Sequence, residues 1–64
     1  MKKTEYFMHQ VAYNELRTGL ARVKKMRDTF ISNNSIEKIV DESIKTTYMA
    51  AGNQMIFIIT LTYF

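Results

Sequence analysis

The chain has no cysteine, no proline and no tryptophan, only two glycines and a single histidine. Without cysteine there is neither a disulfide nor a thiolate metal site. One histidine does not make a His-based zinc site, so no metal or other cofactor is expected. At 64 residues the chain lies near the lower limit for folding alone. Domains of this size lean on a disulfide, a metal or a second subunit, and with the first two excluded a homo-oligomer is expected. A cysteine-free chain suits a reducing compartment, and a cytoplasmic location is the expectation. Lys2 and Lys3 resemble the start of a secretory leader, but Glu5, His9, Gln10 and Asn14 interrupt any apolar segment behind them.

Negative charge is also in short supply, with nine Lys and Arg against six Asp and Glu. Between Glu15 and Asp28 lie five basic residues and two acidic ones; between Glu37 and Lys45 the balance turns slightly acidic; from Thr46 onward there is no charged side chain. The end of that uncharged tract, Gln54 to Phe64 (QMIFIITLTYF), is dense in β-branched and aromatic residues that favour a pleated surface. Alternation places Met55, Phe57, Ile59, Leu61 and Tyr63 on one wholly apolar face. A strand over 54–63 must find a neighbour for its backbone groups. Little of the remaining chain offers itself as one, so these five residues are the candidate oligomer strand, paired across a subunit boundary.

The rest of the chain divides into an ambiguous start and two helical patterns, forming one small domain over residues 1–64. Residues 1–10 fit a short strand, with Phe7, His9 and Val11 on one side, slightly better than a helix. Over residues 11–31, Ala12, Leu16, Gly19, Leu20, Val23, Met26 and Phe30 share one helical face. Gly19 on that face suggests close approach of another element. Arg27 falls in the same sector, so it either snorkels to water or meets a carboxylate of a partner. Asn34 with Glu37 fits a capping box that opens a second helix over 35–51. Ile36, Ile39, Val40, Ser43, Ile44, Thr47, Ala50 and Ala51 form its inner face, and Gly52 serves as its C′ residue. The expected fold class is α+β: an antiparallel two-helix hairpin followed by a C-terminal strand, with a short N-terminal strand as the favoured start, the sheet being completed within an oligomer.

No catalytic constellation emerges. Glu5 and His9 stand four residues apart, a spacing that meets on a helix, but two groups make a poor ligand set. Glu37, Asp41 and Glu42 read as a solvated face among lysines. An enzyme is not expected. The candidate partner-binding residues are Tyr48 and Met49, large apolar groups outside the second helix's apolar face, together with Arg17, Arg22, Lys24 and Lys25 on the outer half of the first helix. These point to a small non-enzymatic interaction module, a regulator or inhibitor docking on a larger protein, of the kind mobile elements encode. Nucleic acid is the alternative partner, through the basic face. A strand, a helix, a turn and a helix is also the order of ribbon–helix–helix repressors, with residues 3–9 as ribbon and 33–35 as turn. No residue-level signature of that family is present. A third reading, a tail-anchored membrane protein, uses the uncharged residues 46–64, but Gly52, Asn53 and Gln54 would lie mid-span, and a membrane partner is disfavoured.

Overall fold

The strand at the C-terminus finds both of its neighbours within its own chain. In a computed structural model describing all 64 residues, the elements run β1 (Lys3–Ala12), a short 3-10 turn (Tyr13–Glu15), α1 (Leu16–Asn33), β2 (Ile39–Met49) and β3 (Gln54–Tyr63). The sheet order is β1-β3-β2, antiparallel throughout. Ile59, at the middle of β3, stands opposite Phe7 on one side and Ile44 on the other. The fold is a sheet-dominant α+β arrangement with one helix.

This overturns the two-helix hairpin and the pairing of β3 across a subunit boundary. The second helix expected over 35–51 is instead a turn, β2 and the start of the β2–β3 loop. The helical spacing of Ile36, Ile39, Val40 and Ile44 was a coincidence of a mixed pattern. Within Ile39–Met49, Ile39, Val40, Ile44, Thr46, Thr47 and Tyr48 all prefer strand, and pairing with β3 decides the matter. The ribbon–helix–helix order falls with it. There is no second helix, and β1 pairs with β3 of its own chain rather than with a second ribbon.

The capping box expected at Asn34 and Glu37 is a helix end instead. The Asn34 backbone N–H and side-chain Nδ2 both donate to Phe30 O, at 3.1 and 2.9 Å. Ser35 turns to φ 50°, and Ile36 N–H reaches back to Ile31 O at 3.1 Å. That is a Schellman closure with serine where glycine is usual. Gly52 (φ 91°) and Asn53 (φ 50°) supply left-handed residues for the β2–β3 loop, not a helix terminus. Asn53 fastens that loop to the opposite edge of the sheet: its carbonyl accepts from Tyr13 N–H (3.0 Å), and its Oδ1 accepts from the Tyr48 hydroxyl (2.7 Å). Tyr13 and Tyr48 consequently meet edge to face, their centroids 5.4 Å apart.

α1 packs over β1 and β3 and reaches β2 through the Arg27 side chain. The core is Phe7 and Val11 from β1, Val23 from α1, and Phe57, Ile59 and Leu61 from β3. The strand face expected to serve an oligomer therefore lies under α1 of the same chain, with Ile59 and Leu61 wholly buried and Met55 and Tyr63 packed beside them. Gly19 sits at the closest helix–sheet approach. A Cβ there would overlap Val11 Cγ1 and stand 3.1 Å from Phe57 Cε2. No residue of β2 is buried. The molecule measures 40 × 17 × 11 Å, an open two-layer slab in which one strand has no cover.

Candidate functional site

The helix has two flanks, and they face different surroundings. On the flank toward β2, Arg27 donates from Nη1 to Glu42 Oε1 at 2.7 Å and from Nε to Asp28 Oδ1 at 3.0 Å. Arg27 thus meets a carboxylate, as one of its two expected readings had it, but a carboxylate of its own chain. The Glu42 hydrogen bond is the largest cause holding the guanidinium pKa above its ordinary value, outweighing desolvation, with Asp28 adding to the rise. By the helical period, Arg17 and Lys24 share this flank, both exposed.

On the opposite flank α1 overhangs β1 to form an open groove of about 680 Å³. Its inner wall is Phe7 and His9, alternate residues on the helix side of β1. Its outer wall is the stripe Arg22, Lys25, Met26, Thr29 and Asn33, spaced to share one side of a helix, with Asn34 at its end. Phe30 closes the floor, packed edge to face on Phe7 (5.4 Å) and on Tyr63 (5.6 Å). The lining is therefore apolar at the bottom and cationic at the rim, with no carboxylate among its residues. His9 Nε2 is buried and has no hydrogen-bond partner. β1 pairs only with β3, so the backbone groups along its outer edge are free beside the groove.

The candidate partner-binding residues do not form one surface. Arg22 and Lys25 line the groove, whereas Arg17 and Lys24 stand across the helix from it. Tyr48 and Met49 are neighbours on a strand and so point to opposite sides of the sheet: Tyr48 toward the helix layer, Met49 away from it. Both are exposed, Tyr48 by half. Glu5 and His9 do not share a proton or a metal, because four residues of extended chain separate them by about 13 Å. No group of three His, Asp or Glu side chains is placed to hold a metal ion. No helix is long and apolar enough to cross a membrane, and residues 46–64 span the end of β2, a turn and β3.

Phe7 and His9 on β1, and Met26, Thr29, Phe30, Asn33 and Asn34 along and after α1, were missing from the expected site. For the helical residues the signal lay in the stripe beside the buried helix face, where Met26 at 42% exposure marks the border rather than the core. Comparison with known proteins places the chain in no family: no family model, no curated protein and no solved structure matches it.

Proposed function

We propose that the chain is a small docking protein, a regulator or inhibitor that seats on a larger protein through the groove between β1 and α1. The observation that carries this reading is the cation-rimmed, apolar-floored groove beside a free strand edge. Such an edge accepts an extended segment as an added strand, its main chain supplying hydrogen bonds and alternate side chains entering the groove. The partner segment best suited to Arg22, Lys25, Phe7 and Phe30 is acidic, with large apolar residues at every second position.

The test is titration with two synthetic extended peptides of equal length, one alternating apolar with acidic residues and one apolar with basic residues, followed by amide chemical shifts. The acidic peptide is expected to bind and to shift β1 and residues 22–34; Arg22→Glu is expected to weaken it severalfold. Equal binding of both peptides, or shifts confined to other elements, would refute the reading. The basic rim also supports nucleic acid as a second partner. Duplex binding that falls by orders of magnitude between 50 and 200 mM salt, at about the slope expected for several phosphate contacts, would favour it.

A further inference from the structure

The other edge of the sheet carries a different feature. β2 pairs with β3 on one side only, leaving the outward backbone groups of an eleven-residue strand unpaired. Every residue of β2 is exposed, including Ile39, Val40, Ile44, Tyr48 and Met49. Natural sheets protect such edges with proline, bulges, charge or a covering element. Here there is no proline, α1 packs on the other two strands, and the single register irregularity is at one end, between Ile39 and Asp41; the strand does carry charge, but Asp41, Glu42 and Lys45 are of both signs, so they block some registers and not others. From Asp41 to Met49 the strand is regular.

We propose that this edge pairs antiparallel with the same strand of a second copy of the chain, about a two-fold axis through Ser43. The charge pattern selects both the occupant and the register. Asp41, Ser43 and Lys45 alternate along the sheet face away from α1, standing opposite Thr62, Thr60 and Ile58 of β3. An axis at Ser43 sets Asp41 against Lys45 of the partner subunit and Lys45 against Asp41 of the partner subunit. Axes at Asp41, Glu42 or Lys45 would set identical charges against each other, and directly opposed like charges destabilise a ladder. An axis at Ile44 leaves Lys45 facing a serine. Glu42, on the helix side, is already held by Arg27. One strand is thus complementary to its own reversed copy, the requirement for an isologous contact.

The product is a continuous six-stranded sheet, β1-β3-β2 joined to its two-fold mate, with both helices on one face. Ile44 then lies diagonal to Ile44 of the partner subunit on the floor between the helices. The groove at β1 stays open at each far edge, so the pairing does not depend on the proposed function. A chain that binds the acidic peptide as a monomer would sink the pairing alone, and a dimer indifferent to peptides would sink the groove alone.

The experiment is sedimentation or light scattering over a wide concentration range, on wild type, Asp41→Lys, Lys45→Asp and the double swap. Wild type is expected at twice the 7.5 kDa chain mass. Each single swap creates two like-charge oppositions and is expected to raise the dimer dissociation constant about tenfold. The double swap restores it to within about threefold, as two reconstituted pairs should. Both positions are exposed, and unchanged circular dichroism checks that the variants fold. Independently, Ser43→Cys, in a chain with no other cysteine, is expected to oxidise to a covalent dimer faster than Thr47→Cys. A monomer at all concentrations, a dimer untouched by either single swap, a double swap no better than the singles, or equal crosslinking at both sites would each overturn the proposal.

Discussion

Replacing Gly19 with alanine sets two known effects against each other, and the structure decides the sign. In an ordinary helix interior, alanine is favoured over glycine by about 1 kcal/mol. Gly19 is buried where α1 crosses β1 and β3. The new methyl would overlap Val11 Cγ1, lie 3.0 Å from Val11 Cβ and 3.1 Å from Phe57 Cε2. Val11 is β-branched, buried and held by the β1–β3 ladder, so rotation offers it little relief. Overpacking of this kind costs up to about 3 kcal/mol, so the net loss is about 2 kcal/mol once the helix gain is subtracted. For a domain of this size that lowers Tm by roughly 10 °C. The assay is thermal unfolding at fixed protein concentration, with Ala21→Gly, on the exposed side of the helix, as the propensity control. Adding Val11→Ala removes the obstructing methyl groups, so Gly19→Ala should become neutral or stabilising in that background. A Gly19→Ala variant as stable as wild type, or a cost unchanged by Val11→Ala, would show that the helix does not approach the sheet at this point.

Other substitutions probe the same architecture. Ile59→Lys places a charge at a wholly buried position of the central strand and is expected to abolish cooperative unfolding or leave the protein insoluble. Soluble protein with unchanged Tm would misplace that face. Ser35→Gly relieves a left-handed serine at the end of α1 and is expected to raise stability in denaturant titration by about 1 kcal/mol; a loss would contradict the helix closure. Glu42→Gln removes the charge partner of Arg27 at a partly exposed site and is expected to cost no more than about 1 kcal/mol, a cost that shrinks with added salt. Salt-independent destabilisation would argue against the ion pair.

The elements differ in how plainly their residues announced them. β3 is uniform in β-branched and aromatic residues, so its alternation and its buried face followed directly from Met55, Phe57, Ile59, Leu61 and Tyr63. The helix was legible from Leu16, Leu20, Val23 and Phe30, and Gly19 from its place among them. β2 was not, for a physical reason. It buries nothing, so no single face had to be apolar, and its Ile, Val and Thr residues fit either period. The flanking signals were equally double. Asn34 can open a helix or close one, and Gly52-Asn53 can end a helix or turn a hairpin, because both uses need the same backbone freedom. A helix over 35–51 leaves β3 short of a neighbour and calls for a second subunit in the place that β2 occupies. The groove was half visible: Arg22 and Lys25 stood out as charges, but their pairing with Phe7 and His9 depends on which side of α1 overhangs β1.

The central claim is that β3 is hydrogen-bonded on both sides within one chain. It is tested most directly by cross-strand nuclear Overhauser effects in a sample mixing isotope-labelled and unlabelled protein. Contacts from Ile59 to Phe7 and from Ile59 to Ile44 are expected, both intramolecular. Sequential helical contacts across residues 39–49, or β3 contacts that appear only between labelled and unlabelled chains, would contradict it.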